Sequence, residues 1–457
     1  MGTESLQTNP LEEEQKAQPQ PVELVTQPVI KPSALDKISI VGGAPLHGTI
    51  AMSGAKNAAL KHMCAALLTN EPVQLTNMPN SLGDVQTLAQ LLNHLGMTVA
   101  LRQDGIAILR AGTIQSHIAP YDLVRKMRAS VLVLGPLLAR HGIAEVSLPG
   151  GCAIGSRPID YHLKGLEAMG AEILLEGGYV KAKAPQGLKG TIISFPKASV
   201  GATENLMMAA CLAEGETVLE NAAREPEITD LGTLLIKMGA KIEGLGSQKI
   251  IIQGVSSLHG ATHEVIADRI ETGTYMCAVG LTGGRVRLRN TSLDNLLALV
   301  ASLSCAGVEL EQDGADIIVS RQGSPIRGID IMTEPFPGFP TDLQAQFMAM
   351  LTLCEGAGMV TETIFENRFM HVPELCRMGA DIMVQGNSAI VRGVKQLKGA
   401  EVMATDLRAS VALVLAGLVA EGTTTINRIY HLTRGYEDIT GKLSACGAAI
   451  DHIQPAG

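Results

Sequence analysis

Residues 205–243 read NLMMAACLAEGETVLENAAREPEITDLGTLLIKMGAKIE. The stretch opens with small apolar residues, turns at Glu214-Gly215 and continues as an alternating run at residues 217–221. A second amphipathic segment ends at Met238-Gly239, and β-branched residues follow it. The two periods, 3.6 and 2, predict a helix, a strand, a second helix and a further strand, which is an alternating α/β pattern.

The end of this pattern recurs along the chain as an apolar helix, a glycine, a small residue and a β-branched run. The recurring glycines are Gly96, Gly170, Gly239, Gly307, Gly379 and Gly447. Neighbouring glycines lie 68 to 74 residues apart, and each is expected to end its helix in the C′ position. Six units of about 70 residues therefore fill nearly all of the chain after residue 35, each ordered helix, strand, helix and one or two strands.

Six such units exceed what one hydrophobic core can hold, and three units in each of two domains of about 200 residues match ordinary domain sizes. The first helix of several units is small and apolar on every side, so it should be buried all round. We therefore predict a two-domain α/β fold in which the helices pack inside and the sheets surround them.

Composition limits the possible partners. The 457 residues carry 36 Lys and Arg against 45 Asp and Glu, and aromatic residues make up 3% with no Trp. A net charge of −9 does not suit a broad phosphate-binding surface, and few aromatic rings are present to stack on bases. We expect small-molecule ligands and no nucleic acid.

The longest charge-free apolar stretches, such as residues 409–420, are too short for a membrane span. The oligomeric state stays open.

Residues 1–35 contain five prolines and the run Glu12-Glu13-Glu14, a composition that predicts a disordered tail. A partner-docking arm is the alternative.

The N-terminus is acidic where a signal peptide would be basic and then apolar. The eight cysteines include no CxxC pair, so we expect a reduced, cytoplasmic protein.

One cysteine differs from the rest. Cys152 lies in the glycine-rich segment LPGGCAIGSRP at residues 148–158, close to Arg157. An exposed loop thiol near a cation is typical of a reactive cysteine, although an incidental loop cysteine is the alternative. The other cysteines lie in apolar helical contexts and are predicted to be core residues: Cys64, Cys211, Cys277, Cys305, Cys354, Cys376 and Cys446.

Basic residues next to small or polar residues form a second class of candidates, centred on Lys56, Arg128, Arg368, Arg408 and Arg434. Several stand near the start of an apolar helix, where backbone N–H groups and the helix dipole favour anions. Arginine adds planar bidentate recognition of carboxylate or phosphate. Any one of them is ordinarily a solvated or paired side chain. Their recurrence predicts a cleft between the two halves that binds a small, multiply charged anion.

The acidic candidates are less clear. Asp342 stands at a plausible helix N-cap, but a carboxylate beside an anion cleft could also act as general base for a hydroxyl. Asp160 and Asp406 carry the same ambiguity. The eleven histidines show no metal-ligand spacing such as HExxH, and neither a P-loop nor a dinucleotide-binding glycine motif is present. We predict no metal and no cofactor.

Several long motifs, in order, resemble the bacterial UDP-N-acetylglucosamine 1-carboxyvinyltransferases, and the resemblance runs from about residue 36 to the end. The segments that carry it are residues 53–60 (SGAKNAAL), 149–160 (PGGCAIGSRPID), 221–227 (NAAREPE), 339–342 (FPTD), 365–368 (FENR), 404–408 (ATDLR) and 434–437 (RGYE).

The resemblance implies an inside-out α/β barrel of two domains, three repeats each, with the active site between them. Residues 58–266 would form the first domain, and residues 36–57 plus 267–457 the second. The implied reaction transfers the enolpyruvyl group of phosphoenolpyruvate to the 3′-hydroxyl of UDP-N-acetylglucosamine and releases phosphate through a tetrahedral intermediate. It is the first committed step of peptidoglycan synthesis.

The resemblance also implies residue roles. Cys152 would protonate phosphoenolpyruvate and form a covalent adduct with it, Asp342 would accept the 3′-hydroxyl proton, and fosfomycin would alkylate Cys152. The implied catalytic residues are Cys152, Asp342, Lys56, Arg434 and Asp406. The implied phosphoenolpyruvate site is Lys56, Asn57, Arg157, Arg368, Arg408 and Arg434. The implied nucleotide-sugar site is Arg128, Arg157, Pro158, Ile159, Asp160, Tyr161, Lys197, Ala198, Ser199, Val200, Asp342 and Ile364.

Two alternatives stay open. The sister enzymes, the 5-enolpyruvylshikimate-3-phosphate synthases, lack the Pro-Gly-Gly-Cys loop and have Lys-Ser where this chain has Lys56-Asn57. A non-catalytic paralogue that senses nucleotide sugars is the second alternative. It would be expected to lack Cys152, Asp342 or Arg434, and all three are present.

Overall fold

The structure is a computed structural model that describes residues 36–148 and 159–454. These residues form 24 strands in six four-stranded sheets, together with 13 α-helices. The strands are β1 (Lys37–Val41), β2 (Leu46–Ala51), β3 (Val73–Thr76), β4 (Thr98–Leu101), β5 (Ala107–Arg110), β6 (Ile118–Ala119), β7 (Ile143–Ser147), β8 (Glu172–Glu176), β9 (Tyr179–Lys183), β10 (Ile192–Ser194), β11 (Glu216–Glu220), β12 (Lys241–Glu243), β13 (Lys249–Gln253), β14 (Thr262–Glu264), β15 (Gly284–Arg289), β16 (Glu309–Asp313), β17 (Asp316–Arg321), β18 (Ile331–Met332), β19 (Ala357–Thr361), β20 (Asp381–Gln385), β21 (Ser388–Arg392), β22 (Glu401–Met403), β23 (Thr423–Asn427) and β24 (Ala449–Ile453).

The helices alternate with the strands. They are α1 (Lys56–Ala65), α2 (Gly83–Leu95), α3 (Tyr121–Val124), α4 (Leu134–His141), α5 (Asp160–Ala168), α6 (Val200–Ala210), α7 (Pro226–Lys237), α8 (Arg269–Thr282), α9 (Leu297–Ala306), α10 (Gln344–Leu351), α11 (Val372–Arg377), α12 (Leu407–Gly417) and α13 (Ile439–Ser444). Short 3₁₀ helices cover Ala66–Leu68, Arg128–Val133, Leu293–Leu296, Thr341–Leu343 and Ile429–Arg434.

All six sheets share one topology. Counted across each sheet from one edge to the other, the first strand is parallel to the second, and the third strand is antiparallel to the second and to the fourth. The six orders are β14-β3-β5-β4, β6-β7-β9-β8, β10-β11-β13-β12, β2-β15-β17-β16, β18-β19-β21-β20 and β22-β23-β1-β24. This sixfold repetition confirms the predicted repeats.

The predicted order within a unit was incomplete. It began with a helix, whereas each sheet also contains a strand that pairs parallel to the strand after this helix. In four of the six sheets this strand comes directly before the helix in the chain, whereas β2 and β14 are exchanged between sheets: β2 pairs with β15 and β14 with β3. Five of these six strands have only two or three residues, too few for an alternating pattern to stand out in the sequence.

The repeated glycines occupy the predicted position after the helices. Gly96, Gly170, Gly239, Gly307, Gly379 and Gly447 all have φ between 93° and 105°, a conformation that costs an L side chain energy. Gly96, for example, follows α2 and its N–H donates to the carbonyl of Asn93 at 3.0 Å. The glycines therefore end the second helix of each unit and direct the chain back into the sheet.

The helices that precede the second strand of each sheet lie inside, as predicted. In α8, α10 and α12 nearly every residue is buried, and residues 58–65 of α1 and 202–210 of α6 are buried as well. The second helices, such as α2 and α7, bury one face only. The fold is thus α/β, with central helices enclosed by sheets.

Two hydrophobic cores result. One contains buried residues between positions 55 and 265, and the other combines positions 38–52 with positions 270–450. Strands β1 and β2 complete sheets of the second core, while β14 pairs with β3 in the first. The chain therefore passes between the cores twice. The boundaries at 57/58 and 266/267 stay a prediction that this arrangement supports.

Two predictions concern residues outside the described part of the chain: the tail at residues 1–35 and the loop that contains Cys152. Of the other cysteines, Cys305 and Cys376 are exposed, so the prediction of core positions was wrong for these two. They lie on the outer helices α9 and α11, which present one face to solvent. Among the described helices, none combines the length and apolar character that a bilayer span requires.

Candidate active site

Lys56 lies where the chain passes between the cores. It is the first residue of α1, and its backbone N–H donates to Asp268 Oδ2 at 3.2 Å. Asp268 is also the N-cap of α8, accepting from the N–H groups of Ile270 and Glu271. Just before α1, Gly54 packs against the backbone of Asn77, where a Cβ would lie 1.7 Å from the Asn77 carbonyl oxygen. The two helices therefore begin side by side.

Asp84 joins Lys56 to Arg434. Its Oδ2 is 3.1 Å from Lys56 Nζ, and its Oδ1 accepts from Arg434 Nε at 2.8 Å. Asp84 stands in the first turn of α2 in the first core, whereas Arg434 ends a 3₁₀ helix of the second core. Burial would raise the pKa of Asp84, but the two cations outweigh it and hold that pKa below its ordinary value. Burial lowers the pKa of Lys56, Asp84 opposes this, and the charges of Arg408 and Arg434 add to the lowering.

A second carboxylate, Asp342, lies between two arginines. Arg368 Nη2 donates to Asp342 Oδ1 at 2.7 Å, and Arg408 Nη2 donates to Oδ2 at 3.0 Å. Both guanidinium side chains are about 95% buried, at 4% and 5% exposure. Arg408 stands in the first turn of α12, and Asp342 in the 3₁₀ helix that leads into α10. The charge of Arg408 contributes to the lowered pKa of Lys56, so the two clusters are near enough for their charges to interact.

A buried hydrogen-bond network fixes Arg408 and Asp342. Arg408 Nη1 donates to the Tyr436 hydroxyl at 3.2 Å, which also contacts the Thr274 hydroxyl at 2.9 Å. Gln346 Nε2 bridges Tyr436 and the backbone carbonyl of Asp342. Burial raises the pKa of Tyr436 although Arg408 opposes it, so the phenol stays a neutral donor and acceptor.

Glu362 fixes the other side of Asp342. This buried carboxylate accepts from Thr341 Oγ1 at 2.9 Å and from the Ile364 N–H at 2.8 Å. It also accepts from Thr333 Oγ1 at 2.8 Å. The loops that carry Asp342 and Ile364 are therefore held together by one acidic side chain.

Asp406 serves as the N-cap of α12. Its Oδ1 accepts from the N–H groups of Arg408 at 2.8 Å and Ala409 at 3.0 Å. This arrangement places Arg408 at the helix start. The predicted catalytic role of Asp406 stays a prediction beside this capping role.

The predicted nucleotide-sugar residues of the first core occupy the starts of three helices. Arg128 begins a 3₁₀ helix, Asp160 and Tyr161 begin α5, and Ser199 is the N-cap of α6, accepting from the Ala202 N–H at 3.4 Å. Ile159 directly precedes α5, and residues 197–200 lead into α6.

Two of these helices are linked by a buried contact. His162 Nδ1 is 3.0 Å from Asn205 Nδ2, which connects α5 to α6. Burial, together with the charge of Arg128, lowers the pKa of His162 to about 4. Asp342 and Ile364 lie in the second core.

Three predicted site residues, Cys152, Arg157 and Pro158, fall outside the described residues. Asn57 follows Lys56 on α1 and is half-buried. Predicted residues of the anion cleft that the structure brings together are Lys56, Asp342, Arg368, Arg408 and Arg434.

Sequence reasoning missed Asp84 and Glu362. Asp84 looks like an ordinary acid in the first turn of a helix, and its partners lie 28 and 350 residues away. Glu362 looks like a polar residue at the end of a strand. No local pattern distinguishes either residue, so only a signal from pairs of distant positions could have found them.

The chemistry of the cleft follows from its charges. Four cations, Lys56, Arg368, Arg408 and Arg434, meet two carboxylates at the seam between the cores. Fixed guanidinium and ammonium groups suit a small ligand that carries both phosphate and carboxylate. They also stabilise negative charge that develops in a transition state.

Comparisons with known proteins agree with this chemistry. Residues 40–443 match the family model described as EPSP synthase (3-phosphoshikimate 1-carboxyvinyltransferase). A protein of Acidiphilium cryptum named UDP-N-acetylglucosamine 1-carboxyvinyltransferase is 61% identical over 421 residues, 92% of this chain and 100% of that protein. One of Caulobacter vibrioides with the same name is 57% identical over 427 residues, 93% of this chain and 99% of that protein.

Solved structures agree on the fold. The enolpyruvyl transferase NikO from Streptomyces tendae superposes with a TM-score of 0.83 at 26% identity, covering 92% of this chain and all of that one. An EPSP synthase from Acinetobacter baumannii gives a TM-score of 0.70 over the same shares, and its 19% identity supports the fold alone. The chain is therefore a transferase that belongs to the enolpyruvyl transferase family and, within it, to the UDP-N-acetylglucosamine 1-carboxyvinyltransferases.

Proposed function

We propose that the protein transfers the enolpyruvyl group of phosphoenolpyruvate to the 3′-hydroxyl of UDP-N-acetylglucosamine and releases phosphate. The observation that carries this proposal is the pair of adjoining ion clusters at the seam, one around Asp84 and one around Asp342. Phosphoenolpyruvate has one phosphate and one carboxylate, so it requires two neighbouring cationic subsites. The names and identities of the relatives do not favour the sister reaction on shikimate 3-phosphate.

The substrate anion would bind across both clusters. Lys56 and Arg434, with Arg157, would take the phosphate, and Arg368 and Arg408 would take the carboxylate. Arg408 enters the cleft at the start of α12, where the helix dipole adds a partial positive charge. The buried hydrogen bond to Tyr436 orients the Arg408 guanidinium before the substrate arrives. This pre-organisation lowers the entropic cost of binding the substrate.

The reaction is an addition followed by an elimination. C3 of phosphoenolpyruvate takes a proton from the Cys152 thiol while the 3′-oxygen attacks C2 and loses its proton to the Asp342 carboxylate. The tetrahedral intermediate then returns a C3 proton to the Cys152 thiolate and expels phosphate, which carries away the proton taken up by Asp342, and the carbon–carbon double bond is restored. Negative charge that builds on the phosphate during departure is stabilised by Lys56 and Arg434.

The acceptor would bind against the first core. Arg128 and residues 197–200 offer a guanidinium and the N-terminus of α6, an eleven-residue helix, to a diphosphate. Tyr161, whose ring centroid is 6.4 Å from that of Phe195, offers an apolar wall beside them. Asp342 and Ile364 would contact the sugar from the second core. The names of the relatives support a cytoplasmic enzyme at the first committed step of peptidoglycan synthesis, acting on small molecules.

Phosphate release tests the proposal. Purified protein is incubated with phosphoenolpyruvate and either UDP-N-acetylglucosamine or shikimate 3-phosphate, and the variants are Cys152→Ser, Asp342→Asn and the control Asp104→Asn. Asp104 is a half-exposed acid in an ion pair with Arg102, so the same change there removes no site carboxylate. We expect release only with the nucleotide sugar, and a loss of about 10²–10⁴-fold in kcat for Asp342→Asn.

Other outcomes are equally informative. Phosphate release with shikimate 3-phosphate would show that the protein catalyses the sister reaction. Absence of release with either acceptor would favour the alternative that the protein is a non-catalytic sensor of nucleotide sugars. Fosfomycin provides an independent check on the thiol, because we expect it to add its mass to the Cys152 peptide. An unmodified Cys152 peptide after incubation would remove the reactive-thiol assignment.

A further inference from the structure

Three buried side chains from distant parts of the chain meet behind the cleft. His62 lies on α1, Asp230 on α7 and His263 on β14, and their exposures are 0%, 6% and 4%. Asp230 Oδ1 is 2.9 Å from His263 Nε2, and Asp230 Oδ2 is 3.3 Å from His62 Nε2. One ligand atom from each residue lies within 4.8 Å of the other two. No residue of this cluster has a role in the proposed reaction.

His62 is the anomaly in this cluster. Neither ring nitrogen has a hydrogen-bond partner although the side chain is fully buried, because the approach of Nε2 to Asp230 lacks hydrogen-bond geometry. A buried polar group left unpaired costs about 1–3 kcal/mol, so such groups are rare in native proteins. The imidazole edge packs against the His263 ring, with centroids 4.9 Å apart. An additional partner for His62 is therefore expected.

The chemistry of the donors identifies that partner. Two imidazoles and one carboxylate are a common ligand set for zinc and related divalent transition metals, with a fourth position left open. Asp230 is oriented by a further hydrogen bond, since Oδ2 accepts from the Ile266 N–H at 3.3 Å. Asp230 also lines a cavity of about 330 Å³, together with Thr229 and Thr233, so there is room for water beside this carboxylate.

We propose that His62, Asp230 and His263 bind a divalent transition-metal ion of the zinc class. The ion would join α1 and β14, the first and last elements of the first core, to α7, and would give His62 its missing partner. Its role would be structural. Lys56 begins the same helix as His62, so the ion would also hold the helix that carries a cleft cation.

Lys237 contacts one of the proposed ligands. Its ammonium is 3.3 Å from His263 Nδ1, and an ammonium can only donate, so the ring proton resides on Nε2. A metal on Nε2 moves that proton to Nδ1, where it would face the ammonium. Lys237 is exposed, so it can turn to solvent when the ion binds. Lys237→Gln should therefore bind the ion more tightly, on the order of 10-fold, because an amide oxygen can accept from Nδ1–H.

Zinc binding to the full-length chain tests the proposal. Protein stripped with a chelator is titrated with Zn²⁺ by calorimetry, and bound metal is counted by elemental analysis after gel filtration. The variants are His62→Leu, Lys237→Gln and the control His94→Leu, in which an exposed histidine of α2 is replaced. His62→Leu should keep or raise the stability of the metal-free protein, because an apolar side chain of similar size replaces an unpaired imidazole.

We expect one equivalent of zinc in the wild type, in Lys237→Gln and in His94→Leu, and none in His62→Leu. Zinc should raise the melting temperature of all but His62→Leu. Cobalt bound at the same place should show tetrahedral visible bands without a thiolate charge-transfer band, which separates this site from the cysteines. Absence of zinc from the wild type, or equal binding by His62→Leu, would overturn the proposal. If His62→Leu does not fold, unchanged affinity in Lys237→Gln would overturn it.

Discussion

Asp84 gains its importance from its neighbours. Its side chain is 7% exposed, and it holds an ammonium from the start of α1 and a guanidinium from the second core. Arg434 is 40% exposed and depends on this contact for its orientation. A carboxylate that touches no reacting atom thus positions two groups predicted to take the substrate phosphate.

Asp84→Asn should lower kcat/KM for phosphoenolpyruvate on the order of 10²-fold, since small displacements of positioning groups cost that much. The loss should appear mainly in KM for phosphoenolpyruvate, with KM for the nucleotide sugar nearly unchanged. Asp84→Glu should recover part of the activity, because it restores the charge. Steady-state kinetics with Asp104→Asn as control measures this, and equal changes in both KM values would contradict the positioning role.

At the scale of one element, α12 shows how a cap and a site share residues. Asp406 caps the helix through Oδ1, and this placement orients Arg408 two residues later. The helix behind is buried, so its start cannot move without disturbing the second core. Capping and electrostatics can be separated because asparagine caps as well as aspartate but has no charge.

Asp406→Ala should lower the free energy of unfolding by about 1 kcal/mol, whereas Asp406→Asn should leave it nearly unchanged. Activity should fall in both variants, because the predicted catalytic role requires the charge. Chemical denaturation and phosphate release, measured on the same samples, test this. If Asp406→Asn keeps full activity, Asp406 acts as a cap alone.

Helices α1 and α6 present a different case, a carboxyl group inside the first core. Glu204 Oε1 lies 3.4 Å from Lys61 Nζ, but neither oxygen has a hydrogen-bond partner. Burial raises the pKa of Glu204 to about 8, although Lys61 opposes the shift. Burial therefore outweighs the apparent ion pair, and most of the population is protonated at neutral pH.

Because the native state binds a proton that the unfolded chain has lost, the free energy of unfolding should fall as pH rises between about 4.5 and 8. The buried histidines His162 and His371, with pKa values near 4, give the opposite slope below about pH 6.5. Between pH 6.5 and 8, Glu204→Gln should therefore be less pH-dependent than the wild type by up to about 2 kcal/mol. Denaturation curves at several pH values test this, and parallel pH profiles would contradict it.

At the scale of the whole molecule, a buried ion pair ties the two cores together. Arg269 of α8 donates through Nε to Glu227 Oε1 at 3.0 Å and through Nη2 to Oε2 at 3.3 Å, and Glu227 belongs to α7. A weaker surface contact, Ser81 to Glu437, spans the same seam beside Asp84 and Arg434. The relative placement of the cleft residues therefore depends on a few polar contacts between two independent cores.

Glu227→Gln should destabilise the protein by about 3–5 kcal/mol, because it leaves a buried guanidinium without its counter-charge. The double variant Glu227→Met with Arg269→Met should recover most of this loss, since paired apolar side chains need no compensation. Urea denaturation monitored by circular dichroism measures both. A double variant as unstable as Glu227→Gln would show that the pair itself is required.

Local patterns were sufficient for the repeats, the α/β class, the buried helices and the glycines at the helix ends. Each depends on neighbouring residues, through the period of apolar positions or through a backbone conformation that glycine adopts easily. The basic cleft residues could also be named, because each stands in a recognisable motif. The two- and three-residue strands could not be predicted, since their hydrogen bonds come from strands elsewhere in the chain.

Tertiary structure was needed wherever a property depends on distant partners. Asp84, Glu362 and the cluster of His62, Asp230 and His263 follow no local motif, so the sequence alone offered no reason to group them with their partners. Exposure of Cys305 and Cys376 likewise depends on which helix face meets the core. Chemistry between side chains acts over a few ångströms in space, and the fold alone decides which residues of the chain come that close.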